Sequence, residues 1–212
     1  MRCYVNAGRG RPSDPEEQQE RKARLIEAAH NLLTEKSFRN ITIREIASEA
    51  GMQSAMISYY FGSKEGLFIA LLENLSTQHF SSLEHLAESG EPLKGFIFAT
   101  LEHLKNNRIM GRFLIDDIVG QPGPLGERFI ELFPKRMRAF LPKLIAQEQA
   151  LGRMRKDLNP HWAAFSLMNM LLMPFFAEPI RERAWDISKQ DVNSPQWADH
   201  IYQMFIQGVE EK

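Results

Sequence analysis

Ile43-Arg-Glu-Ile-Ala-Ser-Glu-Ala-Gly51-Met-Gln-Ser-Ala-Met-Ile-Ser-Tyr-Tyr60-Phe-Gly62 is the stretch whose reading decides the fold. Two short segments with apolar residues three and four apart flank a glycine. Ile43 and Ile46 supply the inner face of the first segment, Ala47 lets a second helix approach, and Gly51 can take the left-handed turn conformation. Met52, Ile57 and Tyr60 supply the opposing face. A small residue, a turn glycine and paired apolar faces are what a helix-turn-helix requires, the second helix being the one that enters a DNA major groove. An ordinary helical hairpin meets the same spacing, so the flanking sequence must separate the two.

Upstream, Ser13 or Asp14 precedes Pro15, a first helical position, and Glu16 and Glu17 face the positive end of the helix dipole. Leu25, Ile26, Ala29, Leu32 and Leu33 line one face of that helix. Downstream, Ser63 caps a long helix to about Ser89, with apolar positions at Leu67, Leu71, Leu72, Leu75, Phe80, Leu83 and Leu86. Further helices are expected over Pro92 to Lys105, Arg108 to Val119, Leu125 to Leu151 with Gly152 as the stop, Pro160 to Ala177, and Pro195 to Glu210. Residues 178–193 read as a loop or a short extra helix. Strand-like alternation is absent, so the fold expected is all-α: an arm at 1–15, a three-helix N-terminal module at 16–62, and a larger C-terminal helical domain at 63–212.

Composition narrows the class. The chain has 212 residues, enough to bury a core without disulfides or metals, and its one cysteine, Cys3, has no partner, which fits a reducing compartment. The longest apolar stretch, Ala163 to Ala177, is interrupted by Ser166, Asn169 and Pro174 and falls short of the roughly 20 residues a membrane span needs. The N-terminus lacks the apolar core of a secretory signal. A cytoplasmic protein with no membrane partner is expected. Net charge is −1, so any nucleic-acid surface must be basic only locally.

Glu27 and His30 have the ExxH spacing of di-iron helical bundles, but the second such motif is missing, and the other histidines show no ligand spacing. No metal, no cofactor and no catalytic residue is expected, and the chain does not read as an enzyme.

Thr42-Ile-Arg-Glu-Ile-Ala-Ser-Glu-Ala-Gly51-Met52 and Tyr59-Tyr-Phe-Gly-Ser-Lys64-Glu-Gly66-Leu-Phe68 together resemble the N-terminal signature of the TetR/AcrR family of bacterial repressors. The match covers about residues 21–70. The resemblance implies an all-α homodimer whose N-terminal modules hold double-stranded operator DNA and whose C-terminal domains bind a small-molecule effector that releases it. By position it implies that Lys64 and Tyr60 contact phosphates, that Thr42 reaches the backbone, and that Arg44 can reach a base edge. The recognition helix departs from the family pattern at Gln53, Ser54, Ala55, Met56 and Ser58. Gln53 and Ser54 still carry donors and acceptors, Ala55 or Met56 can pack on a thymine methyl, and Tyr59 can meet a base or a phosphate. In the arm, Arg9 and Arg11 fit a narrow minor groove, or else belong to a solvated tail.

The C-terminal helices are rich in Phe and Met. The resemblance places an effector pocket among them, with Phe113, Asp116, Phe133, Met137, Phe165 and Met168 as lining candidates; core packing is the competing reading for each. The last two helices resemble the family's dimerising pair, where Trp162, Met170, Trp197, Ile201, Met204 and Phe205 are candidates for the interface. The reading from another class is a helical small-molecule carrier or protein-interaction module with a vestigial helix-turn-helix.

Overall fold

Helix is the only regular structure among the described residues, 14–86, 89–107 and 123–209 of the computed structural model. Arg9, Arg11, Phe113, Asp116 and the whole of the helix expected over Arg108 to Val119 lie outside them. Helix α1 spans Pro15–Glu35, with the Asp14 carboxylate accepting from the Glu16 N–H at 3.1 Å. A 3₁₀ turn at Phe38–Asn40 leads into α2, Ile43–Glu49, then α3, Ala55–Phe61, and α4, Lys64–Leu83. Leu25, Ala29, Ile46, Ile57, Leu67 and Phe68 are wholly excluded from solvent in one shared core. That core is what holds α2 and α3, seven residues each and too short to be stable alone, between α1 and α4.

Helix α5 spans Pro92–Asn106, α6 spans Pro124–Ile130 and α7 spans Arg136–Ala150. The sequence predicts one unbroken helix across the last two; the structure instead has a wide π turn at Glu131–Lys135. Pro134 explains it, because proline has no N–H and its ring strikes the carbonyl four residues back, which the wider turn accommodates. Ser76 of α4 braces the turn, donating to the Leu132 carbonyl at 2.7 Å and accepting from Arg136 at 2.9 Å. Gly152 stops α7 at a φ of 73°, with Arg153 N–H donating to the Glu148 carbonyl at 3.0 Å and Gly152 N–H to Gln149 at 3.1 Å.

Asn159 caps α8, Pro160–Phe176, accepting from the His161 and Trp162 N–H groups at 2.9 and 3.3 Å. The segment read as a loop or short helix holds two short helices, α9 at Glu178–Ala184 and α10 at Lys189–Val192, before α11 at Pro195–Val209. A second core gathers Phe96, Ile97, Leu141, Ile145, Leu167 and Leu171, all fully buried. Helix α4 belongs to both cores: Leu67 to Leu75 pack in the first, Phe80 and Leu83 in the second. It ends at Leu83, short of the expected Ser89. Among the described residues no single helix is long and apolar enough to cross a membrane.

Candidate nucleic-acid interface

The turn between α2 and α3 is built by the backbone. Gly51 takes a φ of 64°, Met52 N–H donates to the Ala47 carbonyl at 2.8 Å, and Gly51 N–H to Ser48 at 3.0 Å. These two bonds satisfy carbonyls that the end of a helix would otherwise leave without partners. Arg24 of α1 donates to the Ala50 carbonyl at 2.7 Å, and a Cβ on Gly51 would come within 3.2 Å of its guanidinium. An arginine with no role in the sequence reading therefore clamps α1 onto the turn.

Thr42 caps α2. Its hydroxyl accepts from the Glu45 N–H at 3.2 Å and donates to the Glu45 carboxylate at 2.8 Å, while its own N–H donates to that carboxylate at 2.8 Å. Lys36 bonds the same carboxylate, and these partners, the ammonium first, hold it down at about 2. Lys64 donates to the Phe38 and Ile41 carbonyls at 2.8 Å each, and its ammonium stands 4.2 Å from the Phe38 ring centroid. Its position at the start of α4 is the one the resemblance assigns to a phosphate contact, and the fold also uses it to fasten the loop before α2. Gly66 lies where α4 meets the end of α3: a Cβ there would sit 2.1 Å from the Phe61 carbonyl oxygen.

Helix α3 divides cleanly. Ile57 faces the core; Met56, Tyr60 and Phe61 are half-buried against it; Ala55, Ser58 and Tyr59 are exposed, with Gln53 just ahead of them. Tyr59 is 70% exposed. Ser58 shares this outward stripe although the sequence reading noted it only as a departure; its spacing of three from Ala55 was the available signal. Ser54 is half-buried, and Met56 has one side against the core. Tyr60 turns toward α1, where its hydroxyl, then Glu17, raises the Arg21 pKa, and Lys22 lies 5.9 Å from its ring centroid. Arg44 is exposed on α2. Among the basic side chains of the module, Lys36 is paired with Glu45 and Arg21 with Glu17.

The C-terminal candidates separate. Met137 is buried, Met168 packs against the second core, and Phe133 packs against the first, its ring stacked 5.1 Å from Phe129. Phe165 does not line an interior: it is 72% exposed, beside Trp162 at 76% and Met173 at 50% on the outward stripe of α8. Ile201 and Phe205, expected at an interface, are instead only 5% exposed in the protomer's own core. Met170 and Trp197 are half-buried against that core, and Met204 is exposed. A cleft of about 360 Å³ runs between Leu93, Lys94, Glu148, Arg153 and Tyr202, and another of about 420 Å³ between Lys135, Arg138, Lys143 and His161; no pocket candidate lines either.

A glycine turn joining two helices, an outward recognition stripe, and flanking helices that clamp both define a helix-turn-helix DNA-binding module, the kind that transcriptional regulators carry. Residues 25–71 match the family described as "Bacterial regulatory proteins, tetR family". The chain thus carries the DNA-binding signature of that family. It is 29% identical over 161 residues to the probable HTH-type transcriptional regulator YttP of Bacillus subtilis, covering 73% of this chain and 76% of that one. It is 25% identical over 143 residues to the HTH-type transcriptional repressor KstR2 of Mycobacterium tuberculosis, covering 66% and 72%. Its fold is similar to that of the fatty acid degradation regulator FadR of Bacillus halodurans, with a TM-score of 0.75 at 16% identity over 95% of this chain and all of the other.

Proposed function

We propose that this protein is a cytoplasmic, homodimeric repressor that holds a palindromic operator with its two α3 helices in successive major grooves and is released by a small-molecule effector. The observation that carries the reading is the exposed α3 stripe beside a rigidly clamped turn. Gln53, Ser54, Ala55 and Tyr59 face the bases, with Ser58 added to them and Met56 contributing its outer edge. Thr42, Tyr60 and Lys64 meet the phosphates, Arg44 reaches a base edge from α2, and Arg9 and Arg11 enter the minor groove. Repression is the role carried in the name of the relative KstR2.

The α8 stripe of Trp162, Phe165 and Met173, with Met204 on α11, is the dimer face, since a soluble chain rarely leaves so much aromatic surface in water. The division of labour falls near residue 63, with the effector held in the C-terminal domain. A fold neighbour, FadR of Bacillus subtilis, is described in complex with stearoyl-CoA, which supports an effector site in this architecture.

A gel shift with the DNA upstream of the protein's own gene tests the proposal. Preference for that DNA over a random duplex is expected, weakening steeply with salt. Tyr59→Ala combined with Arg44→Ala should weaken binding by about tenfold or more while leaving thermal melting unchanged, since both side chains are exposed. Equal affinity for random duplex would favour the carrier reading.

A further inference from the structure

Helices α4 and α5 bring buried polar side chains together beside the second core. His79 of α4 is 4% exposed and Thr100 of α5 is 2% exposed, and one turn further along α5 His103 brings its ring centroid to 4.4 Å from that of His79. His79 Nδ1, Thr100 Oγ1 and His103 Nε2 are all buried with no hydrogen-bond partner among the described residues. Buried polar atoms in folded proteins are nearly always paired, and three left open within one small cluster demand an explanation. His103 uses its other nitrogen toward the Asn107 amide at 3.4 Å, so Nε2 is the one left over. The surroundings are greasy: Phe80, Leu83, Phe96, Ile97 and Leu101 belong to the same core. Among the described residues the fixed charge that acts on His79 is cationic, the Arg136 guanidinium, which lies 3.9 Å from the Phe80 ring centroid.

We infer that His79, Thr100 and His103 are the polar seat of the effector site, and that they take an apolar molecule bearing a hydrogen-bonding oxygen at its head. This deepens the effector reading above and rests on it. Two imidazoles and a hydroxyl can each donate to an oxygen, and among the described residues no acidic side chain perturbs either imidazole. Burial first, then His103 and Arg136, holds His79 at about 3, and burial holds His103 at about 4, so both rings are neutral donor–acceptors at neutral pH. A ligand wedged here parts α4 from α5. Because α4 begins at Lys64, which fastens the loop before α2, that displacement reaches the DNA-binding head directly.

Decanoate, 2-decanone, 1-decanol and decane, added in turn to the full chain without DNA, test the seat through the ¹⁵N resonances of the two imidazoles. The oxygenated probes should shift both rings and decane should not; proton uptake on binding, seen only with decanoate, marks a carboxylate head, and its absence a neutral one. Thr100→Val, nearly isosteric, should leave melting unchanged or raise it, yet weaken oxygenated probes by about tenfold, the value of one lost hydrogen bond. A merely structural threonine predicts the reverse. The inference is overturned if no oxygenated probe moves the rings, if decane moves them equally, or if Thr100→Val lowers melting with affinity intact. Operator binding measured separately keeps the two readings apart: silent imidazoles in a protein that still prefers its upstream DNA sink the seat and leave the repressor standing.

Discussion

Acidification should weaken this protein well above the pH at which carboxylates titrate, and the reason is the adjacent buried pair His79 and His103. Their folded pKa values, about 3 and about 4, lie below the value of about 6.5 that each takes in an unfolded chain. The unfolded state therefore binds more protons in the interval between, and stability that is fully present above pH 6.5 is lost as pH falls toward the folded values. At pH 5 the unfolded chain holds nearly both protons and the folded protein almost none. Linkage then gives about 2 kcal/mol for each ring, about 4 kcal/mol for the pair, between pH 7 and pH 5. Urea unfolding at pH 7, 6 and 5 and fixed protomer concentration measures it, with a His79→Leu/His103→Leu double variant as the reference that lacks both rings. The wild type should lose several times more stability than the variant. Equal stability of the wild type at pH 7 and pH 5, or the same loss in the variant, would refute the reasoning.

Gly66→Ala should be among the most damaging single methyl additions in the head, because its Cβ would meet the Phe61 carbonyl at 2.1 Å and neither backbone can yield without moving α3 against α4. A loss of about 3 kcal/mol in a denaturant titration is expected, against less than about 1 for Gly90→Ala, where a Cβ meets nothing. On the C-terminal side, Trp162→Glu with Phe165→Glu removes the apolar stripe of α8 without touching the core. Sedimentation should show a monomer with unchanged helix content, and operator affinity should fall with it; a variant that stays dimeric would move the interface elsewhere.

The parts of the fold legible in the sequence were those set by local chemistry. Gly51 as the turn, a cap at Ser13 or Asp14, and Gly152 as a stop all follow from conformations that few other residues can take. What escaped depends on distant partners. Lys64 reads as a surface lysine until Phe38 and Ile41 present their carbonyls to it, 26 and 23 residues away in sequence. Helix α8 is apolar on two sides, so its periodicity could not say that Ala163, Ala164, Leu167 and Leu171 face inward while Trp162 and Phe165 face out. Histidines weighed for metal-ligand spacing gave no hint that His79 and His103, from separate helices, meet. The π turn at Pro134 hid inside a run whose apolar spacing looked continuous.

Helix α4 also sets where such a regulator can be cut and rejoined. A seam drawn at residue 63 looks natural, yet Leu67 to Leu75 are walls of the head's own core, and Leu125 and Phe129 of α6 complete it. A head transplanted without them would carry an open cavity into its new host. Exchange of recognition specificity between relatives is therefore better confined to the outward residues of α2 and α3. Conversely, residues beyond Leu75, those of α6 aside, can be rebuilt around a new effector while α1 to α4 and α6 keep the core that orients Tyr59.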